Sequence, residues 1–217
     1  MGRLAAAGTA FERRDSLSSR SAAYSLLSKA FAFPGEQFHA ETRAGLWTGR
    51  LSAAIHGLPY KLPTAAVPQE IPEDYDVFQS EYIRLFEVGA CGSAPCPLYS
   101  GHYSRDRTRS LQDLIRFYNF FGLSMAAGGM PDHASVELEF MHYLTAAEST
   151  AVDPGERLSF VRAQRDFLRT YLGNWWPLLL TRVNAQDGLP SYHDIVSLSA
   201  YFLEEDASHL DAMVLKG

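Results

Sequence analysis

Apolar side chains in this chain recur every three or four residues and nowhere alternate with polar ones over the length of a strand. Leu17, Tyr24, Leu27 and Phe31 share one helical face. So do Tyr75, Phe78, Tyr82, Leu85 and Phe86, and later Leu111, Leu114, Ile115, Tyr118 and Phe121. A sequence with that period can bury its apolar residues only as helix, so the fold class it predicts is all-α. Punctuation sets the elements. Phe33-Pro34-Gly35 stops the first helix, and Gly45 and Gly49 divide a second helical region over 36–57. The stretch 57–72 holds Gly57, Pro59, Pro63, Pro68 and Pro72 and reads as a hinge-like connection. Pro72-Glu73-Asp74 opens the aromatic helix, and Gly89 closes it in the manner of a C-cap. Further helices are expected from about Arg105 to Phe121, from an Asp132 cap to about Ser149, and from Asp153-Pro154 onward. Two more follow, from Trp175-Trp176-Pro177 to about Gln186 and from a Ser191 cap. The expectation is a flexible tail over 1–14, with the first helix capped by Asp15 or Ser16. A single globular domain of roughly eight to ten helices then spans 15–217.

A chain of 217 residues buries roughly 70% of its unfolded surface and needs no disulfide or metal to hold it. Its net charge of −6 disfavours nucleic acid and attracts basic partners, Arg- or Lys-rich peptides among them. Cys91 and Cys96 are not a disulfide framework. The apolar run at 4–10 is too short for a signal peptide, and nothing approaches the ~20 apolar residues of a membrane span. These features lead to the expectation of a soluble, cytoplasmic protein.

Two segments stand out from the helical pattern. Ala94-Pro95-Cys96-Pro97-Leu98-Tyr99-Ser100-Gly101-His102-Tyr103 is a proline-stiffened aromatic loop between helices. Met130-Pro131-Asp132-His133 sets an acid and a histidine at a helix mouth, with Glu137 one turn on. Asp132 suits a cap, whereas a protonated His133 would oppose the helix dipole. Arg105, Arg107 and Arg109 also oppose the dipole of their helix. They are read either as a solvated face paired with Asp106 and Asp113 or as contacts for an anion such as a nucleotide, a pterin pyrophosphate or an acidic client patch. Cys91, Cys96 and His102, or His133 with Glu137, lack the spacing of a metal site. Glu204-Glu205-Asp206 with Asp211 reads as a solvated acidic face.

These landmarks resemble the TorD-like chaperones of molybdenum enzymes. Glu81-Tyr82-Ile83-Arg84-Leu85-Phe86-Glu87-Val88-Gly89 is similar to that family's Tyr-x-x-Leu-Phe-x-Gly helix end. Pro95-Cys96-Pro97-Leu98-Tyr99-Ser100 is similar to its loop, and Pro131-Asp132-His133 with Glu137-Leu138 to its Pro-Asp-His-x-x-x-Glu-Leu helix start. The Pro-Leu-Tyr-Ser-Gly-His-Tyr wording looks most like the branch serving chlorate, selenate, dimethylsulfide or ethylbenzene enzymes. The acid that many relatives carry before the loop prolines is replaced here by Ser93 or Ala94.

The resemblance implies a cytoplasmic, non-enzymatic maturation chaperone without a cofactor of its own. It would bind the twin-arginine signal peptide and apo catalytic subunit of a molybdoenzyme until molybdopterin is inserted, and would be a monomer or a domain-swapped dimer. The implied peptide-binding residues are Tyr82, Leu85, Phe86, Gly89, Pro97, Tyr99, Ser100, Asp132, His133 and Glu137. Leu85, Phe86 and Tyr99 would floor a groove for the peptide's apolar segment, and Asp132 would receive an arginine. Two alternatives remain open: a metal-assisted hydrolase using His133, Glu137 and Cys91 or Cys96, and a helical scaffold or regulatory subunit.

Overall fold

The computed structural model describes the backbone of residues 2–62, 67–68, 71–88, 92–124, 129–188 and 190–216, and within these the side chains from Asp15 to Leu215. Nine α-helices occur among the described residues: α1 (Gly2–Phe31), α2 (Glu36–Arg43), α3 (Leu46–His56), α4 (Tyr75–Tyr82), α5 (Arg107–Phe120), α6 (Ala134–Thr150), α7 (Pro154–Phe167), α8 (Gly173–Asn184) and α9 (Pro190–Lys216). The first begins at Gly2, well before the Asp15 or Ser16 cap suggested by the sequence. Two other boundaries follow their caps, whereas α8 begins at Gly173, ahead of Trp175, and α9 begins at Pro190 with Ser191 inside its first turn. Asp74 accepts from the amides of Asp76 and Val77 to start α4, and Asp153 accepts from Glu156 ahead of Pro154 to start α7. Gly122, at φ +74°, ends α5 in the left-handed region where a side chain is strained.

Two helices continue through wider turns. α4 runs into a π-helical turn, Ile83–Glu87, and α7 passes through another, Leu168–Leu172, into α8. Gly173 explains part of the second: a Cβ there would lie 2.7 Å from the Leu168 carbonyl oxygen, so only glycine lets the backbone close up.

α6 lies at the centre, packed most extensively along α1 and flanked by α7. It buries residues on several sides, including Leu138, Phe140, Met141 and Leu144. α3 and α9 also lie against α1, and α8 packs on α9. Within this apolar interior sits a buried ionic network. Arg20 Nε donates to Asp206 Oδ1 at 2.5 Å, and Nη2 donates to Asp206 Oδ2 and Gln164 Oε1, each at 2.8 Å. The hydroxyls of Tyr24 and Tyr60 donate to the same carboxylate at 2.6 and 2.7 Å. Burial pushes the Asp206 carboxyl up, but Arg20 and the two tyrosines outweigh it and hold it below its ordinary value. The solvated acidic face expected at Glu204-Glu205-Asp206 is therefore corrected: only Glu204 is exposed, and Asp206 is the centre of the network.

Candidate functional site

The two distinctive segments meet. Tyr99 and His133 form an isolated antiparallel bridge, in which Ser100 N donates to Asp132 O and Ala134 N donates to Leu98 O, both at 2.8 Å. Cys96 N donates to Leu85 O at 2.9 Å and so ties the same loop to the π-helical turn after α4. The Tyr118 hydroxyl donates to Pro131 O at 2.8 Å from behind, on α5. One corner therefore joins the end of α4, the 92–103 loop and the mouth of α6.

At that mouth the roles of two residues are exchanged relative to the sequence reading. The N-cap of α6 is His133, whose Nδ1 accepts from Ser135 N at 3.3 Å and contacts Ser135 Oγ at 2.7 Å. An imidazole that accepts there is neutral, and burial pushes its pKa down to about 4, so the expected clash with the helix dipole does not arise. Asp132, one residue earlier and fully buried, does not cap the helix. Its Oδ2 accepts from Gly101 N at 3.2 Å, while its buried Oδ1 has no hydrogen-bond partner. Gly101 is required for this closeness, since a Cβ would stand 2.7 Å from Asp132 Oδ2 and 2.8 Å from Arg107 Cγ.

Glu137 lies one turn deeper and is fully buried. Trp175 Nε1 donates to its Oε2 at 3.0 Å. Burial pushes its carboxyl up to about 8 and nearby Asp132 adds to this, against the hydrogen-bonding pull of Ser100 and Trp175. That shift favours the protonated acid at neutral pH. Trp175 in turn stacks on Tyr103 with centroids 5.2 Å apart, and the Tyr103 hydroxyl donates to Pro97 O at 3.0 Å. Trp175 locks the loop onto the core, yet neither its spacing nor its neighbours mark it in the sequence.

The expected groove floor is corrected by burial. Tyr82, Leu85 and Phe86 belong to the hydrophobic core, where Phe86 meets Tyr192 edge-on at 5.4 Å and Tyr82 donates to Phe31 O. Aromatic side chains at this helical spacing face inward because that is where their area leaves water. Pro97 is also buried. What the corner presents outward is Tyr99, Ser100 and His133, each partly exposed, with exposed His102 and Val88 and the half-buried carboxylate of Glu87. Burial, and behind it the charge of Glu87, raises the pKa of Tyr99. Gly89 and Cys91 lie outside the described residues. Arg105, Arg107 and Arg109 are all exposed. Arg109 approaches Asp113 at 3.8 Å, whereas Asp106 caps α5 and Arg107 lies over Gly101 instead of pairing with an acid.

Among the described residues no group of three or more His, Cys, Asp or Glu side chains is placed to hold a metal ion. Cys96 is buried with its thiol pushed up to about 11, chiefly by burial, and so makes a poor thiolate ligand.

The family described as nitrate reductase delta subunit matches residues 48–181. The perchlorate reductase assembly chaperone protein of Dechloromonas aromatica is 32% identical, with 94% of each chain covered. The selenate reductase assembly chaperone protein of Thauera selenatis is 35% identical over 63% of this chain and 75% of its own. The chlorate reductase assembly chaperone protein of Ideonella dechloratans is 37% identical over 52% of this chain and 60% of its own. No solved structure matches the chain significantly.

Proposed function

The chain belongs to the nitrate reductase delta subunit family, and from that premise we propose that it is the maturation chaperone of an oxyanion-type molybdoenzyme. It acts on its client by binding, without catalysing a reaction. The observation that carries this reading is the likeness along nearly the whole chain to a reductase assembly chaperone. The corner supports it, because its ionisable groups are arranged for contact rather than turnover. Burial favours the protonated form of Glu137, whose Oε2 is taken up by Trp175, and His133 is neutral and occupied as a cap. Neither is free to serve a hydrolytic metal, so the hydrolase alternative loses its ligand set.

The client segment is the twin-arginine leader of the reductase catalytic subunit, held in the cytoplasm before export. Its apolar stretch lies against Val88 and Tyr99, and an arginine reaches Glu87. Asp132 supplies the second carboxylate: its free Oδ1 is one layer below, covered by the Gly101 turn, and is reached when that turn lifts. Tyr82, Leu85, Phe86, Pro97 and Glu137 support the corner from beneath.

A titration with a synthetic twin-arginine leader tests the reading. Asp132→Ala is expected to weaken binding by about 1–3 kcal/mol, the scale of a lost charged hydrogen bond. Replacing both leader arginines by lysine should cost a similar amount, since lysine cannot form the two-pronged contact. Thermal unfolding of the variant runs in parallel. If the affinity falls only in proportion to the folded fraction, or if the lysine leader binds equally well, the arginine-reading role of this corner is wrong.

A further inference from the structure

The exposed charge on the other side of the loop has the opposite sign. Three successive loop residues, Gly101, His102 and Tyr103, are flanked by two guanidiniums. Arg107 crosses Gly101, with its Cγ and Nε 2.8 and 3.1 Å from where a Cβ would be. Arg182, from α8, places its Cζ 4.7 Å over the centre of the Tyr103 ring. Both arginines are exposed, and neither makes an ion pair among the described residues. His102 is also exposed, with its ring 6.1 Å from that of Tyr99. Burial, then Arg107, and then Arg182 all push the His102 pKa down, and only Asp132, behind Gly101, opposes them. The positive groups thus outweigh the one buried carboxylate. Arg105 and Arg109 stand at the start of α5 but beside the exposed Asp106 and, for Arg109, 3.8 Å from Asp113, so the unpaired positive charge is that of Arg107 and Arg182. In a chain of net charge −6, such a patch is an unneutralised surface feature.

We propose that His102, Arg107 and Arg182 form a docking surface for a carboxylate-rich segment of a protein partner. The cations are spread over an open surface on two helices and a loop. The loop amides beneath them are taken, Gly101 N by Asp132 Oδ2, His102 N by Tyr99 O and Tyr103 N by Ser100 O, so they cannot complete the cradle that a small phosphate or pyrophosphate needs. Spaced guanidiniums instead match the spaced carboxylates of an extended acidic stretch, each capable of a two-pronged contact. Tyr103, stacked between Arg182 and Trp175, holds one guanidinium in place before the partner arrives. The surface lies beside the leader contact, shares the Gly101 turn with it and carries the opposite charge.

The experiment titrates the full chain with a decaglutamate peptide at about 0.1 M ionic strength, where surface charges are only partly screened. Nuclear magnetic resonance follows the His102 imidazole. The expected result is saturable binding that raises the His102 pKa. In Arg107→Gln/Arg182→Gln the affinity should drop at least tenfold, while Arg43→Gln/Arg50→Gln, on a distant surface, keeps it. Binding of the twin-arginine leader, measured on the same proteins, should be at least as tight in Arg107→Gln/Arg182→Gln, which removes positive charge beside it, and unchanged in Arg43→Gln/Arg50→Gln, so failure of leader binding and failure of acidic docking are read separately. If the double variant is less stable, Arg107→Gln alone, which leaves the Tyr103 stack intact, decides with an expected loss of several-fold. The proposal is overturned if decaglutamate leaves His102 unmoved, or if the two arginine pairs matter equally. It is equally overturned if inorganic pyrophosphate binds as tightly and moves His102 as far, since the surface would then be a small-anion site.

Discussion

Glu137 and His133 are one helical turn apart and titrate in opposite senses. Glu137 has an ordinary pKa of 4.5 and a folded value of about 8, so between those limits the native state keeps a proton that the unfolded chain has released. Its contribution is full below pH 4.5 and is lost as pH rises toward 8. His133 has an ordinary value of 6.5 and a folded value of about 4, so stability is lost as pH falls through that window, where the unfolded chain binds the extra proton. The two slopes oppose each other where they overlap and leave a net decline toward pH 8. Glu137→Gln keeps an acceptor for Trp175 and removes the alkaline slope. Thermal unfolding between pH 5 and 9 should show the variant gaining on the parent steadily as pH rises, and parallel curves would mean that Glu137 is ionised in the fold. Gly101→Ala tests the neighbouring contact. Its Cβ has no room between Asp132 and Arg107, so the turn must lift, at about 1–3 kcal/mol if the strain is comparable to overpacking. Because a lifted turn uncovers Asp132 Oδ1, the same variant should bind the twin-arginine leader at least as tightly as the parent despite its lower melting temperature.

At the scale of elements, α1 and α9 are joined by the Arg20–Asp206 pair inside an apolar core. A buried pair is weak evidence of net stabilisation, but removing one member leaves the other charged and unsolvated. Arg20→Met should therefore cost roughly 3–5 kcal/mol, and a double change to Met and Leu should recover only part of it, because Tyr24 and Tyr60 then lose their acceptor and Glu148 its cation. Urea unfolding of the single and double variants measures the difference. Most of the helices were legible, because caps and apolar stripes are local: Asp74 and Asp153-Pro154 stand where the pattern puts them, whereas Ser191 lies inside α9 and does not cap it. The site was legible as two segments but not as a surface. Period alone cannot say which part of an aromatic stripe faces a neighbouring helix, so Leu85 and Phe86 read as a groove floor when both are buried in the core and Tyr192 packs on Phe86. The partners of Asp132, Glu137 and Asp206 come from positions 31, 38 and 186 residues away, and no local signal announces Trp175 or Arg20. The cap assignment missed by one residue because Asp outranks His in general preference. Here Gly101 N competes for the Asp132 carboxylate and leaves the cap to its neighbour.

Across the whole molecule, one long connection is fastened to the same buried pair. The chain between α3 and α4 packs Leu58, Leu62, Val67 and Ile71 against the core and inserts the Tyr60 hydroxyl onto Asp206 Oδ1. Its prolines withhold backbone donors, so side chains must hold it in place. Tyr60 also lies with its ring 5.6 Å from that of His209 on α9, which positions the phenol over the network. Tyr60→Phe keeps the ring and removes one hydrogen bond to a carboxylate, a loss of about 1.5–3 kcal/mol. Asp206 retains Arg20 and Tyr24, so the helical core should stay cooperative. The loss should therefore appear locally. Amide hydrogen exchange is expected to accelerate at the non-proline positions flanking Tyr60 and at the start of α4, with α1 and α6 changing only as much as global stability does. Uniform acceleration across all helices would show instead that the connection is an inseparable part of the core, and that the phenol contributes to overall stability without acting as a local fastening.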